Sequence, residues 1–125
     1  MATFRLDLPP TTNHGYGLAV RGAHAAMYKT RDLRAWEREA ALVVGGWRPP
    51  ARTALSVRIQ LRLPPGSVHR VDVDGCLKPI LDVTVGRRQD QWIERLSVLK
   101  VTVREEPAGV LIEVESLRQP ALIEE

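Results

Sequence analysis

Apolar and polar positions along this chain recur with two periods, two residues and about 3.6 residues, and the switches between them divide it into elements. From Thr3 to Leu8 the alternation puts Phe4, Leu6 and Leu8 on one side of a short strand, which Pro9-Pro10 ends. The segment from there through Met27 is rich in Gly, Thr, Asn and His and keeps no period, so it reads as a functional loop. At Thr30 the period becomes helical. Leu33, Trp36, Ala40 and Val43 or Val44 form an apolar stripe, with Arg34, Arg38 and Glu39 off it. Thr30 is placed to cap this helix, Asp32 lies near the positive end of its dipole, and Gly45-Gly46 stops it.

After a connector around Pro49-Pro50, Leu55, Val57, Ile59, Leu61 and Leu63 alternate with Ser56, Arg58, Gln60 and Arg62, the pattern of a strand with one buried face. Pro64-Pro65-Gly66 closes it. A second helix follows Asp74, with Leu77, Ile80 and Leu81 on its inner face. Pro79 has no amide hydrogen and is cheap only in a first turn, which places the helix start at about Gly75 or Cys76. Val98 to Arg104 alternates as a strand, Glu105 to Gly109 is a turn, and Val110, Ile112 and Val114 form a further strand that pairs with it as a hairpin. The order β-α-β-α-β-β predicts one small α/β or α+β domain spanning residues 1–125, its helices packed on a mixed sheet. The polar stretch from Leu117 to Glu125 reads as a mobile tail.

Composition narrows the class without naming a function. The 125 residues suit a single domain that buries enough surface to fold without disulfides. The single cysteine, Cys76, supplies neither an internal disulfide nor a zinc-ligand pattern. The stretch Phe4 to Leu8 is too short and polar for an export signal, and no apolar run reaches membrane-spanning length, so the expectation is a soluble cytoplasmic protein. A net charge of +3 is too mild to identify a nucleic-acid binder. The basic residues are mostly arginine, whose planar fork matches phosphate, although a GC-rich genome gives the same bias.

The informative stretch is Val71-Asp72-Val73-Asp74-Gly75-Cys76-Leu77-Lys78-Pro79-Ile80-Leu81-Asp82. In extended backbone, residues two apart point to the same side, so Asp72 and Asp74 can aim both carboxylates at one point. Such a pair suits Mg²⁺, and its mutual repulsion calls for a cation. Lys78, one helical turn beyond Asp74, can lean back to stabilise charge on a phosphate. The plainer alternative makes Asp74 a helix cap, Asp72 a turn former, and Lys78 a surface partner of Asp74 or Asp82.

The same run resembles the signature of the RusA family of Holliday junction resolvases, an Asp-x-Asp-Asn pair followed by a lysine and a further acid. Leu8-Pro9-Pro10-Thr11-Thr12-Asn13 is similar to that family's N-terminal strand with its Pro-Pro and nearby Asn. The resemblance spans roughly Phe4 to Glu115 and implies a RusA-like fold. It also implies Mg²⁺ (or Mn²⁺) on Asp72 and Asp74, catalytic assistance from Lys78, and a homodimer that nicks four-way DNA junctions symmetrically. Two positions depart from the pattern. Gly75 stands where the family has Asn. In Trp92-Ile93-Glu94-Arg95, the second acid expected after the aromatic, the third metal ligand, is Arg95.

Three explanations stay open: Glu94 supplies the third carboxylate, Asp90 does, or the chain binds DNA with cleavage impaired. A non-catalytic DNA-binding or regulatory protein is thus the rival, and a metal-dependent nuclease acting on flaps or RNA a third possibility. Asn13 in the long loop, His69 and Arg70 flanking the acids, and the basic pair Arg87 and Arg88 are the candidate DNA contacts.

Overall fold

The first helix shows how closely local signals set the structure. In a computed structural model that describes residues 1–10, 16–21 and 24–117, helix α1 covers Arg31–Val44. The Thr30 hydroxyl accepts from the Leu33 amide at 3.4 Å, satisfying one of the amides that a helix start leaves open. Gly45, at φ 66°, ends the helix in a backbone conformation that a side chain disfavours. Leu33, Trp36, Ala40 and Val44 are buried, while Val43 is half exposed, which resolves the choice between the two valines. The Trp36 indole donates to the Asp7 carbonyl at 2.7 Å and ties α1 to the end of the first strand.

Strands β1 (Ala2–Leu6), β4 (Leu55–Leu63), β5 (Ile93–Thr102) and β6 (Gly109–Ser116) form one mixed sheet in the order β1-β6-β4-β5. β6 runs antiparallel to both β1 and β4, and β4 and β5 are parallel. Helix α2 (Val73–Thr84) lies between the parallel pair in sequence, the usual crossover for such strands. The chain is a small α+β domain, a four-stranded mixed sheet with two helices among the described residues. Leu55, Val57, Ile59, Leu61 and Leu63 from β4 join Leu33 and Trp36 from α1, Ile80 from α2, and Ile112 from β6 in one core. Each such side chain contributes about 1.5–3 kcal/mol on burial. The helices therefore cover one face of the sheet. The alternate β4 residues Ser56, Arg58, Gln60 and Arg62 lie on the other, where Arg58 pairs with Glu113.

The structure differs from the sequence pattern in four places. β2 (Tyr16–Arg21) and β3 (His24–Lys29) form an antiparallel hairpin, with Tyr16 opposite Lys29, inside the segment expected to be a loop. The strand after α2 begins at Ile93 rather than Val98. It does not form a hairpin with β6: β4 lies between them, because β4 carries the longest unbroken inward row and takes a central place. Finally, α2 begins at Val73, which puts Pro79 inside the helix rather than in its first turn. Pro79 cannot donate the amide bond that would reach the Gly75 carbonyl, but its ring is fully buried, and that apolar burial offsets the cost. Residues 118–125 of the expected mobile tail lie outside the described residues; Leu117 donates its amide to Ala54 at 2.9 Å.

Candidate functional site

The early start of α2 changes the geometry expected for the paired acids. Asp72 occupies the N-cap position with extended backbone, and Asp74 lies in the first helical turn, so the two do not share one extended strand. Both are exposed. The Asp72 carboxylate makes no capping bond to the helix amides, so neither its oxygens nor those of Asp74 have a hydrogen-bond partner among the described residues. Both residues lie at the positive end of a twelve-residue helix.

Lys78 turns away from them. Its ammonium lies 3.3 Å from the Asp82 carboxylate, a pair of the i,i+4 kind, and Arg87 reaches the same oxygen at 3.6 Å. The expectation that Lys78 leans back toward Asp72 and Asp74 is thus corrected in favour of a surface pair. Asp74, Lys78 and Asp82 still form one stripe, because residues four apart are neighbours on a helix. The Lys78 side chain is 61% exposed, so its bond to Asp82 contributes about 0.5 kcal/mol and yields readily to a stronger anion.

His69 and Arg70 sit exposed in the turns just before α2, beside the acids, with the Arg70 amide held by the Ser67 carbonyl at 2.9 Å. Arg87 and Arg88 follow the other end of the helix, so the four basic candidates are divided between its two ends. Asn13 lies outside the described residues.

Glu94 is also at the far end. β4 runs from Leu55 up to Leu63, where the chain leaves toward Asp72, and β5 runs parallel to it from Ile93, beside Leu55, to Thr102, beside Leu63. Glu94 therefore lies at the start of β5, at the end opposite to Asp72, about 26 Å from Thr102 along the strand at 3.3 Å per residue. The register slips there: Ile93 faces Leu55 and Arg95 faces Ser56, leaving Glu94 as the extra residue of a bulge. It borders an open cleft with Arg52, Thr53, Trp92 and Ser116. Asp90, in the short helical turn at residues 90–92, lies at the same end. Within one chain, neither acid joins Asp72 and Asp74, and no three His, Cys, Asp or Glu side chains among the described residues gather into a metal set. Two carboxylates still match the chemistry of Mg²⁺, which commonly takes one or two and keeps its waters.

Sequence reasoning missed Lys100. Its ammonium donates to the Val68 carbonyl at 2.8 Å in the loop leading to Asp72. Cys76 links the two: burial pushes its thiol pKa up, the nearby Lys100 charge pulls it down, and Asp72 raises it further. The detectable signal was a lysine at an inward position of β5, between Val98 and Thr102, where an apolar residue would be usual. A second group that the pattern did not reveal surrounds a cleft of about 230 Å³ where α1 ends against α2, with Lys29, Arg48 and Arg87 set among Glu37 and Asp82. Lys29 is paired with Glu37 at 2.6 Å.

Among the described residues no helix is long and apolar enough to cross a membrane. Compared with protein-family models the chain matches none, and no curated protein matches it.

Proposed function

We propose that the chain is a Mg²⁺-dependent endonuclease of the RusA Holliday junction resolvase type, acting in the cytoplasm as a homodimer on four-way DNA junctions. The observation that carries this reading is a pair of exposed aspartates at the start of α2, Asp72 at a capping position without capping. A purely structural cap would direct its oxygen at the helix amides. This one leaves the carboxylate exposed at the positive end of the helix, with exposed His69 and Arg70 just before it in the chain and exposed Asp74 just after.

Asp72 and Asp74 would hold the metal, which when bound would activate water and neutralise charge at a phosphodiester. His69 and Arg70 flank that point and would hold the DNA backbone through charge, giving sequence-independent, salt-sensitive affinity. Lys78, whose own side chain is 61% exposed, would exchange Asp82 for a phosphate oxygen arriving near Asp74. Among the described residues no third carboxylate of the kind the resemblance calls for joins Asp72 and Asp74, and Arg95 stands at its position. That supports a second reading, a RusA-like protein that binds junctions with impaired cleavage.

A labelled four-way junction and a matched duplex, each incubated with Mg²⁺, Mn²⁺ or EDTA, separate the two. Metal-dependent paired nicks in the junction alone are expected. Asp72→Asn should abolish them and also remove the rise in melting temperature produced by Mn²⁺, while junction binding persists. Tight binding without cleavage in either metal would favour the second reading. Loss of binding along with cleavage in Asp72→Asn would sink the metal role and make Asp72 structural.

A further inference from the structure

Lys100 stands at an inward position of β5, level with the fully buried Leu61 of β4 and between Val98 and Thr102 on the same side of its strand. The interior accepts its methylene stem, but the charged head must run out to polar atoms. It ends 2.8 Å from the carbonyl of Val68, a residue 32 positions earlier in the chain. No carboxylate among the described residues lies within ion-pair distance of this ammonium, so the backbone carbonyl is the partner it has. An inward charge on an edge strand also discourages stray strands, but any charge serves that purpose and none needs an acceptor for it.

Val68 belongs to residues 64–71, which carry the chain from β4 into α2. Inside this segment the hydrogen bonds are local. The Ser67 amide and hydroxyl both donate to the Pro64 carbonyl, at 3.2 and 2.8 Å, and the Arg70 amide donates to the Ser67 carbonyl at 2.9 Å. Such turns shape the segment without fixing where it sits. Val68 and Val71 give it an apolar footing against the core, which resists lifting but has no direction. The Lys100 bond is directional, and a charged donor makes it stronger than the neutral bonds of the turns. Lys100 and Asp72 also share a neighbourhood, since the Cys76 thiol feels the charge of both.

We propose that Lys100 is a positioning residue, whose ammonium clamps residues 64–71 to β5 and so sets where His69, Arg70 and Asp72 stand at the start of α2. The clamp needs no metal. Its effect on metal binding rests on the metal-dependent reading above.

Trypsin reads the clamp in the full-length chain, because it cleaves after Arg70 inside the held segment and after Arg58 in the central strand β4, where cleavage requires global opening. Lys100→Met keeps an unbranched apolar stem and removes the donor; it should speed cleavage after Arg70 relative to Arg58 by about tenfold. Lys100→Arg, which keeps a charged donor, should return the ratio toward that of the parent chain. An unchanged ratio in Lys100→Met, whether both rates stay or both rise together, would overturn the clamp. The link to the acidic site has a separate readout. The Mn²⁺-induced rise in melting temperature should shrink in Lys100→Met and recover in Lys100→Arg. Loss of a nearby positive charge would by itself strengthen cation binding, so a smaller rise isolates the effect of position. A rise as large as the parent's in Lys100→Met would overturn that link. A parent chain with no rise at all would defeat the metal reading itself, and the trypsin ratio would still decide the clamp.

Discussion

At Gly109 a methyl group has no room, because a Cβ would lie 2.8 Å from the Leu6 carbonyl oxygen, a backbone atom already committed to the sheet. Gly109→Ala must push β1 and β6 apart, and overpacking of this kind costs about 1–3 kcal/mol. The melting temperature should fall by several degrees, measurable by calorimetry; no change would mean that the β1 edge yields freely. Cys76 makes a second residue-level prediction. Burial raises the pKa of its thiol in the folded chain, so the unfolded chain ionises first as pH rises. The stability held by the neutral thiol is fully present below the ordinary thiol pKa and is lost as pH climbs toward the folded value. Urea unfolding between about pH 7 and pH 10 should show stability falling, and Cys76→Ala should flatten that fall. At this scale it was legible in the sequence that Asp72 and Asp74 lie where a helix begins. The orientation of Lys78 was not, because Asp82 and Asp74 are equally spaced from it and only the three-dimensional neighbourhood, with Arg87 drawn to the same oxygen, shows which is chosen.

Elements with strong local signals formed where the pattern placed them. α1 has its cap, stripe and glycine stop within the chain segment itself, and β4 has nine residues of unbroken alternation. Thr30→Ala should cost about 1 kcal/mol and lower the melting temperature by a few degrees, since the Leu33 amide loses its acceptor. Where the signal weakened, the elements were misplaced. Gly17, Ala19, Ala25 and Ala26 dilute the alternation of β2 and β3, and a hairpin there reads as a loop. The polar run from Glu94 to Ser97 hides the first half of β5, because an edge strand need not bury both faces. Pro79 misplaced the start of α2, since the rule against interior proline takes no account of a fully buried ring. That two-residue displacement matters most, for it moved Asp74 from a strand into a helix.

Across the whole molecule, the alternation of each strand fixed which residues face inward, and nothing local fixed which strands are neighbours. β5 and β6 look like a hairpin because only a short turn separates them, yet β4 lies between them. The same topology puts Asp72 and Glu94 at opposite ends of a parallel pair, a separation that no motif spacing reveals. Helices cover a single face, so the other carries charged pairs across strands, as at Arg58 and Glu113, while Arg62 pairs with Glu106 in the turn before β6.

The place of β6 has a consequence for how the chain is made. It is the last described strand to leave the ribosome, yet it is bonded on both edges, to the earliest strand and to β4. Until it emerges, β1 and β4 cannot be joined, and the five inward side chains of β4 have no finished sheet around them. Closure therefore waits for a contact between the two most distant strands of the chain, the kind of pairing that slows folding. During that interval the nascent chain exposes sticky strand edges, which makes it a natural client for chaperones that shield such surfaces.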